Sequence, residues 1–202
     1  MRNHSLLVVA GVVGLCAMSA RASATIIDFE GHPDDGSVVQ VQDGFSFTFA
    51  AQGWGIFTDG FVGGGAPYTH NGTTRLAMSG DSGGGTCNVV FKPLDDSPFS
   101  LQSFDSATFF PGTSGGCEVI GTYEAGGTVS ASFNLGDTFA HYVLPAGFTG
   151  LDHVTVRNLI SGGYRSDSGV SLDNLEINAV PEPASMTILG LGVAALIRRR
   201  RR

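Results

Sequence analysis

Two kinds of side chain in this sequence could do catalytic chemistry: a serine set among glycines, and acidic residues in adjacent pairs. The serine is Ser82, within the stretch SGDSGGG at residues 79–85, and the acidic pairs are Asp34–Asp35 and Asp95–Asp96. A serine becomes a nucleophile only beside a base that is itself oriented by an acid. Paired carboxylates hydrolyse glycosides only when they flank the scissile bond. Each interpretation therefore depends on the elements that position these residues.

The Gly-Asp-Ser-Gly-Gly around Ser82 also surrounds the nucleophile of chymotrypsin-like proteases, but its context here is different. In those proteases the serine follows a histidine in an Ala-Ala-His-Cys context and a buried aspartate. The histidines upstream of Ser82 are His32 in EGHPDD and His70 in YTHNG, both in polar, turn-like surroundings. A short motif transfers function only with its structural context. We therefore interpret Ser82 as part of a glycine-rich loop, and the acidic pairs as turn residues.

The N-terminus has the three parts of a secretory signal peptide. A charged start at residues 1–4 precedes an apolar run from Leu6 to Met18, and small residues follow at 22–24. The apolar run is well short of the roughly 20 residues that span a bilayer, which argues against a retained anchor. The sequence predicts a signal peptide at residues 1–24, with cleavage after Ala24.

The C-terminus reads VPEPASMTILGLGVAALIRRRRR, in which an apolar segment at 184–197 separates a proline-rich triplet from an arginine run. Positive charge beside an apolar helix stays on the cytoplasmic side of the membrane. The pattern predicts a single transmembrane helix with everything before Val180 outside. The residues that define the pattern are Pro181, Glu182, Pro183, Arg198, Arg199, Arg200, Arg201 and Arg202.

This tail resembles the PEP-CTERM sorting signal, also known as the ice-binding protein C-terminal domain, over residues 179–202. The resemblance implies recognition by an exosortase, an integral-membrane cysteine protease-transpeptidase of Gram-negative bacteria that export polysaccharide. It further implies cleavage near the triplet, a transient stage in the inner membrane, and release or transfer to the cell surface. An ordinary C-terminal anchor behind a proline linker is the alternative.

Residues 25–180 are acidic and have the length of one domain. They contain 17 acidic side chains against four basic ones, Arg75, Lys92, Arg157 and Arg165. Such a surface repels phosphate backbones, which excludes nucleic acid as a default partner. Cys87 and Cys117 form an even pair in an exported chain, so a disulfide is the simplest expectation, with two buried free thiols as the alternative.

Period-two alternation of apolar residues recurs through the domain and predicts half-buried strands. Phe45, Phe47 and Phe49 share one face, as do the alternate residues from Val129 to Leu135. Turns rich in glycine, asparagine and aspartate separate these short runs, which is typical of a sandwich or barrel. We expect an all-β fold: a single antiparallel, jelly-roll-like β-sandwich at residues 25–178.

The last predicted strand contains a break in its alternation. Val170 and Leu172 point one way, but the apolar series resumes at Leu175 and Ile177, one residue out of phase. One extra residue at Asp173–Asn174 would restore the inward face, so the sequence predicts a β-bulge there. In the first strand, Phe29 is expected to face the core.

The stretches IDFEG, PFSLQSFDSATF, GTVSASFNL, GFTGLDHVTV and LDNLEI resemble exported jelly-roll domains that precede PEP-CTERM tails, similar in outline to carbohydrate-binding β-sandwich modules. The resemblance implies that acids in the first and last strands hold a structural calcium ion. Asp28, Glu30 and Asp173 would be its ligands, since calcium takes six to eight oxygens. The alternative is that these acids cap turns. No other cofactor is expected.

The segment QGWGIFTDGFVGGGAPYTHNG, residues 52–72, is the predicted ligand-binding region. It places Trp54, Phe57, Phe61 and Tyr68 among glycines and polar side chains, a combination that suits sugar rings. The alternative is that Trp54 and Phe57 are core residues of a strand.

Taken together, the sequence predicts an exported, non-enzymatic protein of the cell surface or extracellular matrix. Its partners would be the exosortase and an exopolysaccharide. The alternatives are a structural or adhesive matrix component without a small ligand, and a hydrolase acting on glycans.

Overall fold

The computed structural model describes residues 24–31, 39–50, 56–57, 69, 71–79, 88–112, 115–159 and 169–179. The predicted signal peptide (except Ala24) and nearly all of the predicted sorting tail, with its transmembrane helix, lie outside these residues, as do Ser82 and Cys87. Ala24–Val180 forms one compact unit. Within the described ranges there is no helix. Accordingly, no helix of these ranges qualifies as a membrane span.

The described residues form twelve β-strands, consistent with the alternation and turn chemistry of the sequence. In chain order they are β1 (Ala24–Ile27), β2 (Val39–Gln42), β3 (Phe45–Ala50), β4 (Ile56–Phe57), β5 (Arg75–Ser79), β6 (Asn88–Pro93), β7 (Phe99–Thr108), β8 (Gly115–Tyr123), β9 (Thr128–Leu135), β10 (Ala140–Val143), β11 (Leu151–Leu159) and β12 (Gly169–Ala179).

All of the strand pairs are antiparallel, and they divide into two sheets. The front sheet has the order β2-β3-β6-β11-β8-β9. In the back sheet, β10 pairs with β7, β7 with β12, β12 with both β1 and β5, and β5 with β4. The two sheets share a single residue pair, Leu151 with Phe99, at one corner. The expected β-sandwich is confirmed.

Phenylalanines of both sheets meet in the core between them. Phe45 and Phe47 of the front sheet are buried, as the alternation predicts. The ring of Phe45 contacts that of Phe99 edge-on with centroids 5.2 Å apart, and Phe47 contacts Phe29 in the same way at 5.3 Å. Phe29 faces the core as predicted, from a turn after β1 with a φ of 56°.

The predicted bulge is present in β12. The register against β7 shifts between Asp173 and Glu176, and Asn174 has a left-handed φ of 49°. Asparagine is one of the few residues that tolerate this conformation. The extra residue brings Leu172 and Leu175 onto the same inner face, where both are buried. The side chains around the bulge are thereby re-aimed on the outer face of the back sheet.

Candidate functional site

Two carboxylates stand opposite each other on neighbouring strands of the back sheet. Asp105 of β7 pairs in register with Asp173 of β12. Their chain neighbours Phe104 and Leu172 belong to the core. Because successive side chains of a strand point to opposite faces, both carboxylates lie on the outer face. Like charges directly opposite one another destabilise a sheet unless something compensates them.

Asn174, the bulge residue, provides this compensation by donating to both acids. Its backbone N–H donates to Oδ1 of Asp173 at 2.8 Å, and its side-chain Nδ2 donates to Oδ2 of Asp105 at 2.8 Å. Hydrogen bonds to ionised acceptors are stronger than those between neutral groups. One bulge residue therefore joins both carboxylates.

The segment before β5 supplies the remaining donors to Asp173. Oδ2 of Asp173 accepts from Nδ2 of Asn71 and from Oγ1 of Thr73, each at 2.6 Å. Oδ1 of Asn71 in turn accepts the backbone N–H of Thr73 at 3.3 Å. The Asn-Gly-Thr sequence at residues 71–73 thus has a structural role. The amide of Asn71 and the hydroxyl of Thr73 both bind Asp173, which follows Asn71 by 102 residues in the sequence.

Burial dominates the electrostatics of Asp173. The residue is fully buried. Loss of solvent raises the pKa of its carboxyl group, and the charge of Asp105 acts in the same direction, whereas the bonds from Thr73, Asn71 and Asn174 oppose the rise. Both oxygens already accept hydrogen bonds from the protein. Asp173 therefore acts as an acceptor that ties β12 to the segment before β5.

Asp105 is the solvent-facing member of the pair and is joined to a histidine. Nδ1 of His141, on β10, lies 2.8 Å from Oδ1 of Asp105. Because an ionised carboxylate can only accept, this nitrogen carries the hydrogen. The side chain of His141 is 58% exposed and that of Asp105 27%. Asp105 and His141 are thus the exposed end of a hydrogen-bond network that also contains Asn174, Asp173, Asn71 and Thr73, called the carboxylate network below. This exposed end can form hydrogen bonds with a ligand.

The three predicted calcium ligands are not assembled into one cluster. Glu30 accepts the backbone N–H of Thr74 at 2.9 Å, and Asp28 accepts that of Glu30 at 3.1 Å. Among the described residues, no three acidic, histidine or cysteine side chains are grouped so that they could hold a metal ion. Glu30 and Asp173 both bind the 71–74 segment, but through different residues. The calcium hypothesis stays a prediction.

The predicted aromatic ligand-binding segment adjoins the same sheet. Its strand β4 pairs with β5, Phe57 being in register with Arg75. Its last residues include Asn71, which binds Asp173. Trp54, Phe61 and Tyr68, and the side chain of Phe57, lie outside the part of the chain that the structure describes. The segment predicted to bind sugar and the carboxylate network thus belong to the same sheet, with β4 at one edge, Asp173 and Asp105 on the inner strands β12 and β7, and His141 on β10 at the opposite edge.

The other candidates for chemistry are separated from this network or lie outside the described residues. Asp95 and Asp96 occupy the turn after β6, where Asp95 accepts the N–H of Ser97 at 3.0 Å, as a turn residue would. Cys117 is buried and has no disulfide partner among the described residues. Burial raises the pKa of that thiol to about 12, so it is inert as a nucleophile. Its pairing with Cys87 stays a prediction.

Sequence reasoning did not identify Asp105 or its amide partner Asn174 as site residues. Asp105 was only one acid within an apolar strand, and its pairing with Asp173 depends on a register that spans 68 residues of sequence. His141 is a lone histidine in a stretch of strand pattern, which is no signal of a site on its own. Only Asn174 had a local signal, the break in apolar alternation that predicted the bulge.

Comparison with solved structures supports the fold. The chain is similar to an exo-β-agarase with a TM-score of 0.50 and 15% identity, over 79% of this chain and 26% of the agarase. A mutant of the family 29 carbohydrate-binding module CBM29-2, in complex with cellulohexaose, scores 0.46 at 16% identity over 80% and 93%. The tandem family 22 modules of Paenibacillus barcinonensis Xyn10C score 0.42 at 11% identity over 82% and 48%. The likeness to the agarase supports the β-sandwich fold.

A comparison with protein families identifies the C-terminus. The PEP-CTERM protein-sorting motif matches residues 179–202, the segment in which the proline triplet and arginine run had been recognised. No curated protein matches the chain in sequence. Such a motif indicates a protein that is exported and sorted to the cell surface. The C-terminus of the chain therefore carries a PEP-CTERM sorting motif, and the described residues before it form an all-β sandwich.

Proposed function

We propose that the β-sandwich binds a neutral polysaccharide at the cell surface without catalysis, after an exosortase has processed the sorting tail. The observation that carries the proposal is the connection between Asp173 and the end of the aromatic segment through Asn71 and Thr73. These bonds join β12, the inner strand that carries Asp173, to the segment that leads into β5, the neighbour of β4.

The exposed end of the network suits sugar hydroxyls. Oδ1 and Oδ2 of Asp105 are oriented by His141 and Asn174, so the carboxylate is held in place before a ligand arrives. A carboxylate accepts hydrogen bonds from sugar hydroxyls, and an imidazole can exchange them. Preorganised groups bind with less loss of side-chain entropy.

Stacking on sugar rings requires aromatic side chains from the predicted segment. The large hydrophobic residues exposed within the described ranges are all aliphatic: Ile26, Val39, Val41, Leu94 and Val143. Aromatic faces beside polar groups favour sugar binding. Trp54, the one tryptophan of the chain, is the first candidate for this role.

The same geometry argues against glycoside hydrolysis. A hydrolase needs one carboxylic acid free to protonate the leaving oxygen and a second carboxylate free to act on the sugar or on water. The pKa of Asp173 is raised, as such an acid requires, but its two oxygens accept from Asn71, Thr73 and Asn174. It is also fully buried. We therefore propose a binding role for this pair of acids.

The charge of the domain favours an uncharged ligand. Residues 25–180 contain 17 acidic against four basic side chains. A surface of one sign repels polymers of the same sign, and uronate-rich or sulfated polysaccharides are anionic. A neutral, hydroxyl-rich polymer meets no such barrier.

Binding is measured with the full chain in detergent, by calorimetry against cello-oligosaccharides, agaro-oligosaccharides and the exopolysaccharide of the source bacterium. We expect His141→Ala and Trp54→Ala each to weaken binding at least tenfold, about 1.4 kcal/mol. Thr48→Ala, at an exposed position of β3 in the opposite sheet, is the matched control and should bind as the unaltered chain does.

Each other outcome has a definite meaning. An absence of binding to every glycan would leave the structural or adhesive matrix role as the better explanation. Binding that survives both substitutions would move the ligand away from both the carboxylate network and the aromatic segment. Release of reducing sugar during incubation would contradict the non-catalytic assignment.

A further inference from the structure

β9 is the one long strand of the described residues that has a partner on only one side. Five strands pair with a single described strand: β1, β2, β4, β9 and β10. Four of them contain four residues or fewer, whereas β9 contains eight. Short edge strands are one way in which proteins prevent unwanted pairing. β9 does not use this protection.

Charged residues, proline and a β-bulge, three other usual protections, are also missing from β9. Its sequence, TVSASFNL, contains no charged residue and no proline. Its eight pairs with β8 run from Gly115–Leu135 to Thr122–Thr128 without a register shift, so no bulge twists the edge away. A long, regular, uncharged edge presents backbone groups without a strand partner as a template for another strand. At its C-terminal end the carbonyl oxygen of Asn134 accepts the hydroxyl of Tyr142 at 3.0 Å, a bond that a partner strand would replace there.

The two faces of β9 define what such a strand must look like. Val129, Ala131 and Phe133 are half-buried and pack against the core, while the residues between them are exposed Ser130 and Ser132. A partner strand therefore needs the same alternation of small polar and apolar residues, paired so that its apolar side chains lie on the same face as Val129, Ala131 and Phe133. A second copy of β9 meets this requirement. When an odd-numbered residue of one copy pairs antiparallel with an odd-numbered residue of the other, the apolar side chains of both strands lie on the same face of the joined sheet.

Charge restricts where two copies can meet. The domain is strongly acidic, so two copies repel each other over most of their surfaces. β9 is free of charge, and the nearest acid on the adjoining strand, Glu118 opposite Ser132, is paired with Arg157. Contact along β9 therefore brings no unpaired carboxylates together within the strand.

We propose that β9 is a docking edge for a second copy of this chain. The two β9 strands pair antiparallel about a two-fold axis, joining two six-stranded front sheets into one continuous sheet and covering Val129, Ala131 and Phe133 of both copies. The interface is isologous, as closed dimers require. Added salt strengthens it, because Glu124 and Asp137 lie just beyond the two ends of the strand.

Sedimentation velocity of the full chain in detergent, over a range of concentrations, tests the proposal. We expect a concentration-dependent dimer whose dissociation constant rises at least tenfold in Ser130→Lys, since like charges would then face each other across the interface. Thr48→Lys adds the same charge on the same face of the front sheet, on a strand with partners on both sides, and should dimerise as the unaltered chain does.

Hydrogen exchange of the unaltered chain at low and high concentration supplies a second measurement that does not depend on any variant folding. Protection of amides in residues 128–135 should rise with concentration. A chain that stays monomeric would overturn the proposal, and so would a dimer that Ser130→Lys leaves unchanged. Concentration-dependent protection confined to other strands would overturn it as well.

Discussion

Asn174 donates its side-chain amide to Asp105 on the neighbouring strand, with 2.8 Å between Nδ2 and Oδ2. The same residue adopts a left-handed φ of 49° and donates its backbone N–H to Asp173. The bulge thus has two consequences at once. It corrects the phase of the apolar residues in β12, and it bridges two acids that would otherwise repel each other.

Substitution of Asn174 separates these two consequences. Asn174→Gly removes the bond to Asp105 but keeps the left-handed backbone, so we expect a loss of about 1.5–3 kcal/mol in the free energy of unfolding. Asn174→Ala should lose roughly 1 kcal/mol more, because alanine is strained at this φ. Urea denaturation of both variants measures the difference, and equal stabilities would contradict the role of the backbone conformation.

Asp173 makes stability depend on pH. Burial raises the pKa of its carboxyl group in the folded state. Its contribution is therefore complete below the unfolded pKa of about 3.9 and is lost as pH rises through the higher folded value. Asp173→Asn removes this dependence, and loss of an acceptor should also cost about 1–3 kcal/mol.

The measurement is the unfolding free energy of the unaltered chain minus that of Asp173→Asn at several pH values. We expect this difference to fall as the pH is raised from about 4 towards neutrality. A difference that grows with pH would mean that the carboxyl group is stabilised in its charged form.

Calcium offers a separate test of the acids near the first and last strands. If Asp28, Glu30 and Asp173 hold the ion, calcium raises the melting temperature of the chelated protein, and Asp173→Asn removes that rise. An unchanged melting temperature would leave the hydrogen bonds from Asn71, Thr73 and Asn174 as the interactions that hold Asp173 in place.

Gly169 is required by close packing at the start of β12. A Cβ there would lie 2.6 Å from the carbonyl oxygen of Met78 and 2.6 Å from Cβ of Phe109. Gly169→Ala should therefore destabilise the fold by about 1–3 kcal/mol. At Gly136 a Cβ would meet nothing within 4 Å, so Gly136→Ala is the matched control, with an expected change of about 0.5 kcal/mol or less. Equal effects in urea denaturation would contradict the packing argument.

Cys117 should resist alkylation in the folded protein. Its thiol is buried, and its pKa of about 12 leaves almost no thiolate at pH 8. Mass spectrometry after treatment with iodoacetamide should find it unmodified until the chain is unfolded. If it is then modified only after reduction, the predicted bond to Cys87 is present. Rapid modification of the folded protein would contradict the buried position.

Local patterns in the sequence were enough to predict much of the fold. Alternation places Phe45, Phe47 and Phe49 in the core because successive strand residues point to opposite faces. The phase break after Leu172 predicted the bulge for the same reason. The sorting motif was recognisable because its parts follow one another along the chain.

The candidate site depended on contacts between distant residues. Asp105 and Asp173 lie side by side because of the strand register. Asn71 and Thr73 bind Asp173 from far away in the sequence, Thr73 at a separation of 100 residues. No local period encodes such pairings, since they follow from which strands become neighbours in the sheet. The sequence by itself thus determined the strands, the bulge and the sorting signal. Only the tertiary structure decided which acids, amides and histidine share the outer face of the back sheet, because strand neighbours and register are chosen by the packing of the whole core.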